Sequence, residues 1–248
     1  MTIVVDALRA SATLASLLER GASEVMVVAH VAEALAQKQY HPEEVVVGER
    51  DCLRVEGCDL GNSPLQGPCG LLPAPVVFTS SNCARCCVAA ADAPGLYVGS
   101  TVNATALAQV AATAARELGA DVLLVPAGAG EDETRFNLED HLACGALLEA
   151  LSRACPQARV GNDAARAAQA LYQRVGARGL PVVFARSDHG RRLVELGFAE
   201  DVRWAAQVDV YRAVPALVEV RALPGGGRGA VLKDVGEGSR ESGDASRE

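Results

Sequence analysis

The sequence predicts an α/β protein, a three-layer α/β/α fold on a mostly parallel or mixed sheet. Short Val-rich runs alternate with longer Ala/Leu patterns along the 248 residues. Half of the chain is hydrophobic, yet only 4% is aromatic. Alternating strand and helix patterns imply βαβ units, with the sheet covered on both faces. An Ala-rich, Val-rich composition suits helices laid against such a sheet. A chain of this length can bury one large core.

The elements follow in order. "TIVV" (2–5) is an apolar run of strand length, and "ASATLASLLERG" (10–21) a helical pattern that Gly21 can close as a C-cap. "EVMVVA" (24–29) reads as a strand, "VAEALAQKQ" (31–39) as a helix, and "EVVVG" (44–48) and "PVVFT" (75–79) as strands. "GLYVGS" (95–100) and "DVLLVPAG" (121–128) are further strands around the helical "NATALAQVAATAAREL" (103–118). "NLEDHLACGALLEALSR" (137–153) and "AARAAQALYQRV" (164–175) are helical, "PVVFARS" (181–187) reads as a strand, and "DHGRRLVELG" (188–197) as a helix. From Pro224 the chain is rich in Gly, Ser and charge, so residues 1–223 form the expected domain and 224–248 a disordered tail. A strand, an acidic group and a small-residue helix occur at 3–18 and again at 122–148, a faint echo of two related halves near 1–120 and 121–223.

Charge and hydropathy narrow the function. A net charge of −8 argues against nucleic acid, which needs a basic face. No run of eighteen apolar residues marks a membrane span, and no charged segment precedes an apolar one at the start. The expected location is cytoplasmic, where the eight cysteines default to reduced thiols.

In sheets of this kind ligands bind beyond the carboxyl ends of strands. Asp6, Arg9 and Ser11 come after the first run; Glu49 and Arg50 come after "EVVVG". Ser80, Ser81, Asn82 and Arg85 come after "PVVFT"; Glu139 and Asp140 open the helix after "DVLLV". Arg186, Ser187 and Asp188 come after "PVVFA". Arginines grip phosphate or carboxylate with a planar fork. Ser11 and Thr13 can cap a helix whose N–H groups add donors. Asp6, Glu49 and Asp140 suit an oxygen-ligated Mg²⁺ that bridges to phosphate. "DLGNSP" (59–64) adds a loop with Asp59, Asn62 and Ser63 as polar groups, ordinary turn chemistry by itself.

The cysteines in "SSNCARCC" (80–87) give one CxxC, without the second pair a structural zinc site needs. A redox pair is the other sharp reading, and small buried thiols the plain one. No cysteine has an arginine six positions on, as a cysteine-dependent phosphatase loop requires. His141 and His189 read as surface or capping histidines. "GAGED" (128–132) lacks the pattern of a nucleotide loop.

Taken in series, "VVDALRASAT" (4–13), "GERDCLRVEGCDLGNSP" (48–64), "NLEDHLACGALL" (137–148) and "SDHGRRLVELGFAEDVRWAAQVDVYRAVP" (187–215) resemble the 2-phosphosulfolactate phosphatase, or ComB-like, family. The resemblance runs in order over about residues 3–217. It implies an α/β/α architecture of two related halves and a Mg²⁺-dependent phosphatase for phosphate esters of small 2-hydroxy acids. In archaea such proteins act in coenzyme M biosynthesis, converting 2-phosphosulfolactate to sulfolactate. The motif positions fall on Asp6, Arg9, Glu49, Arg50, Asp59, Asn62, Ser63, Glu139 and Asp140. Where relatives read T-T-N-G-T-R-A-L, this chain keeps Asn82 and Arg85 but carries Cys83 for the glycine and Ala84 for the threonine.

The resulting assignment is specific. Asp6, Arg9, Glu49 and Arg85 are the expected catalytic residues, and Asp6, Glu49, Glu139 and Asp140 the expected Mg²⁺ ligands. Arg50, Asn62, Ser63, Ser81, Asn82 and Ser11 are expected to bind substrate. Asp6 acts as metal ligand or general base, with an aspartyl-phosphate as the other route; Leu8 stands where haloacid dehalogenases carry a second aspartate. The expected partner is a small anionic phospho-hydroxy acid, with neither nucleic acid nor membrane; a homodimer is compatible with the sequence, which does not fix the oligomeric state. The alternative function is a weakened or repurposed homologue that binds an anionic metabolite, motivated by the 80–87 replacements.

Overall fold

A computed structural model of the chain describes residues 1–66, 74–128 and 136–236. Its strands are β1 (Thr2–Val5), β2 (Val25–Val27), β3 (Val45–Arg50), β4 (Leu53–Arg54), β5 (Val76–Thr79), β6 (Leu96–Val98), β7 (Leu123–Pro126), β8 (Pro215–Ala222) and β9 (Arg228–Asp234). Its helices are α1 (Ala10–Glu19), α2 (Val31–Tyr40), α3 (Cys83–Ala89), α4 (Ala104–Leu118), α5 (Leu138–Ala154), α6 (Asp163–Arg186), α7 (Asp188–Glu195) and α8 (Ala199–Ala205). The predicted α/β class holds, on one mixed sheet in the order β4-β3-β5-β2-β9-β8-β6-β1-β7. Among the described residues no helix is long and apolar enough to cross a membrane.

The sheet joins two parallel sets, β3-β5-β2 and β6-β1-β7. The hairpin β8–β9 lies between them, antiparallel to β6 on one side and to β2 on the other. The two sets therefore run in opposite directions. Five strand steps separate β5 from β1, and at roughly 20–25° per step the sheet turns by roughly 100–125° over that span. Residues at the carboxyl ends of β1, β3 and β5 nevertheless line one cavity.

Period-two alternation sorts the side chains of each strand into layers. Val4 packs with Leu14, Leu17, Phe78 and Cys83, the layer of α1 and α3. Ile3 and Val5 face the opposite way, onto Leu107 of α4, Leu142 and Leu147 of α5 and Phe184 of α6. Met26 and Val77 bury a third cluster with Ala34 of α2.

Two expectations are corrected. The run 181–187 is the end of helix α6 rather than a strand. Leu180 and Phe184 are buried at a spacing of four, while Val182 between them is exposed, which is helical and not strand periodicity. Gly176, at φ 66°, breaks α6 into two segments. Pro181 sits soon after that break, where little of the new segment is lost. The second correction concerns the tail. Residues 224–236 are not a disordered end: they turn and return as β9, in the middle of the sheet. Gly-rich composition marked the turn at 223–227, and the alternation after it was too short to outweigh it. The remaining tail residues, 237–248, lie outside the described residues.

One consequence is measurable. Leu232 is fully buried on β9, so Leu232→Ala is expected to lower the unfolding free energy by about 2–5 kcal/mol in urea denaturation. A position in a disordered tail would leave it unchanged.

Candidate functional site

A cavity of about 180 Å³ opens where the ends of β1, β3 and β5 converge. Asp6, Arg9, Glu49, Asn62, Ser81 and Asn82, all expected from the sequence, line it. Asp6 ends β1 and begins the turn into α1. Its backbone N–H donates to Ser11 Oγ at 3.0 Å, and Ala10 N–H donates to its Oδ1 at 3.3 Å. The N–H of Cys83, at the start of α3, also reaches its carboxylate.

Four acids share this region. Burial pushes Asp6 up to about 7; the N–H groups of Ala10 and Cys83 oppose the rise, while Glu49 and Glu139 add to it by like charge. Burial, with the charges of Asp6 and Glu139, also holds Asp140 well above the usual carboxylate range. Asp140 is fixed by Ala7 N–H at 2.8 Å and Gly128 N–H at 3.3 Å, so it ties β1 to the loop after β7. Glu49 accepts from Cys52 N–H at 2.7 Å and from both the N–H and hydroxyl of Ser81. Glu139 and Asp140, both expected metal ligands, are buried behind the cavity wall and do not line it, and Glu139 Oε1 has no hydrogen-bond partner. Asn62 Oδ1 is likewise buried without one.

This arrangement leaves room for a cation but does not preassemble its cage. Among the described residues no three His, Cys, Asp or Glu side chains stand close enough to hold an ion alone. Mg²⁺ rarely needs such a set, because it keeps waters and is held by one or two carboxylates plus substrate phosphate. Asp6 and Glu139 fit that demand best: they are buried, repel each other, and Glu139 has an oxygen to spare. Both oxygens of Asp140 already accept from backbone N–H groups.

Several expected site residues also carry structural contacts. Arg9 is 3% exposed; its Nη1 donates to Asp201 at 2.7 Å, its Nη2 to the Cys52 carbonyl, and its guanidinium lies 4.2 Å over Phe198. It lines the cavity, but two donor positions serve the fold. Ser63 does not line the cavity, because its hydroxyl donates to the other oxygen of Asp201 at 2.7 Å. Ser11, fully buried, receives the Asp6 N–H. Arg50 turns away to the carbonyls of Glu49 and Ala29 and the hydroxyl of Thr79. Arg85 also lies outside the lining, with its Nη2 on Asn82 Oδ1 at 3.4 Å. Asp59 accepts from Lys38 and from Val46 N–H. Gly48 is required by packing, since an added Cβ would collide with Cys58 Sγ.

The 80–87 stretch becomes clear. Cys83 and Ala84 begin α3, and neither has a positive φ. Replacing the relatives' glycine therefore forces no side chain into a left-handed conformation. Cys83 and Cys87 are buried with their sulfurs 3.9 Å apart, among the core side chains under the site.

Other lining residues escaped the sequence reading. Asp51 and Cys52 form the two-residue turn of the β3–β4 hairpin, at φ 53° and 70°. A two-residue hairpin favours positive φ at both places, but neither residue is the usual glycine or asparagine. Asn137 Nδ2 and Asn82 Nδ2 both donate to the Gly128 carbonyl, at 2.7 and 3.1 Å. His189 and Arg192 reach the cavity from α7, and His189 Nε2 lies 2.9 Å from the Leu8 carbonyl. The sequence held a signal for Arg192 in "SDHGRR", within a stretch of the resemblance. "GAGED" beyond Gly128 lies outside the described residues.

Known proteins share this sequence over most of its length. The family model for 2-phosphosulpholactate phosphatase matches residues 1–220. A protein of Deinococcus radiodurans named probable 2-phosphosulfolactate phosphatase is 35% identical over 228 residues, covering 91% of each chain. One from Carboxydothermus hydrogenoformans with that name is 32% identical, covering 86% of this chain and 84% of the relative. One from a Synechocystis strain, also so named, is 34% identical over 89% and 90% of the two.

The raised Asp6 has a definite pH signature. A carboxyl whose folded value lies above its unfolded 3.8 binds its proton more tightly when folded. The metal-free fold therefore loses stability as pH rises from about 4 to about 7. Thermal melts across that window should fall more steeply for the wild type than for Asp6→Asn.

Proposed function

The chain belongs to the 2-phosphosulpholactate phosphatase family, and from that premise we propose that it is a Mg²⁺-dependent phosphatase hydrolysing 2-phosphosulfolactate to sulfolactate and phosphate. The observation that supports this reading most is geometric: Asp6, Arg9, Glu49, Asn62, Ser81 and Asn82, from separate turns and loops, line one cavity, with Glu139 buried close to Asp6.

Bound Mg²⁺ would supply charge neutralisation of the phosphoryl group and orientation of the attacking water. Asp6 and Glu139 would hold it, and Glu49 would stand beside it, fixed by Cys52 and Ser81. As a carboxylate Asp6 takes the proton of the attacking water. The new P–O bond forms as the ester P–O bond breaks, and the leaving oxygen takes up a proton. Asn62 and Asn82 offer neutral polar contacts to the substrate from separate segments of the wall. Arg192, exposed at the cavity, faces the substrate's remaining anionic groups.

Phosphate release from 2-phosphosulfolactate tests this. Asp6→Asn should lower kcat by about 10²–10⁴-fold, the range of a general base. Removing divalent ions should abolish turnover and Mg²⁺ restore it. Arg192→Ala should raise KM more than it lowers kcat, because it removes binding and leaves the acid cluster in place. Full activity of Asp6→Asn would sink the reading.

A further inference from the structure

Strand β8 runs from Pro215 to Ala222, but its two edges are not equally covered. Along one edge it pairs with β9 over its whole length except at Val218, where the register shifts at a bulge. Along the other, β6 meets it only at Ala216, opposite Tyr97. Among the described residues, Leu217–Ala222 thus present an unpaired strand edge. A row of free N–H and C=O groups is a template for another strand, and chains normally protect it. This edge carries no proline after Pro215, and Val218 and Val220 are 49% and 41% exposed.

The charges on this edge indicate what covers it. Glu219 and Arg221 share a face and pair with each other, Arg221 Nη2 reaching Glu219 at 2.8 Å. Arg221 also reaches Glu24 at 2.7 Å. Laid antiparallel against a copy of itself about Val220, the strand is self-complementary: Glu219 faces Arg221, Arg221 faces Glu219, and Val220 faces Val220. Opposite charges and β-branched residues directly across an antiparallel pair are the favourable combinations. A two-fold interface requires this match of a surface to itself.

We propose that Val218–Ala222 of β8 pair antiparallel with the same strand of a second copy, making the protein a two-fold dimer through a continuous sheet. The partner is this chain, selected by the alternation Glu219–Arg221 across the seam.

The test is sedimentation equilibrium of the full chain at micromolar concentration, with melting temperature recorded to confirm folding. The wild type should be a dimer. Val220→Lys, which sets two ammonium groups on the axis, should raise the dimer dissociation constant by at least ~10-fold. Glu219→Arg, which opposes like charges, should weaken it similarly. Combining Glu219→Arg with Arg221→Glu should restore the dimer, a result that a merely damaged fold would not give. A monomeric wild type, its edge covered by another part of the chain, overturns the proposal. So does a dimer that neither single substitution weakens.

Discussion

The structure depends most on the repulsion among Asp6, Glu49, Glu139 and Asp140. These acids come from the end of β1, the end of β3 and the first turn of α5. Burial and mutual charge raise Asp6 and Asp140, so the metal-free fold sets like charges against one another. The chain offsets this locally with backbone donors: Ala10 and Cys83 to Asp6, Ala7 and Gly128 to Asp140, Cys52 and Ser81 to Glu49. Each donor lies at a strand-to-helix turn or a hairpin turn. The fold therefore places its backbone ends where its acids need them, and Glu139 Oε1 alone among these groups has a buried oxygen without a partner.

A second layer of ion pairing supports this cluster from behind. Asp201 of α8 receives Arg9 on one oxygen and Ser63 on the other. It links the β1–α1 turn, the loop after β4 and the helical C-terminal segment. Arg9 also grips the Cys52 carbonyl, whose own N–H holds Glu49. Arg9, which lines the cavity, thus also braces the turn that carries the acid. A buried charge with two such partners is costly to disturb, since removing one partner leaves the other uncompensated.

Much of this was legible in the sequence. The alternation of Val-rich and Ala/Leu-rich runs indicated the α/β class, because burial on both faces leaves that trace in composition. Asp6, Ser81 and Asn82 stand just past strand ends, Glu49 at the turn-ward end of β3 and Asn62 in the loop after β4, and they do line one cavity. The partners of the arginines were not legible: Arg9 meets Asp201 across 192 positions, and no local pattern records that contact. The strand β9 was hidden by the glycines of its own turn, and the end of α6 by a proline and two valines that mimic a strand. Arg192 and His189 lay in a helix whose site-facing side depends on how α7 packs.

The central claim is that this acid cluster binds a divalent cation in exchange for protons. Calorimetric titration of Mg²⁺ into the metal-free protein near pH 6.5, repeated in buffers of different ionisation enthalpy, counts the protons released. The account predicts net proton release on binding, reduced in Asp6→Asn. Binding without proton release, or no binding by the wild type, would contradict it.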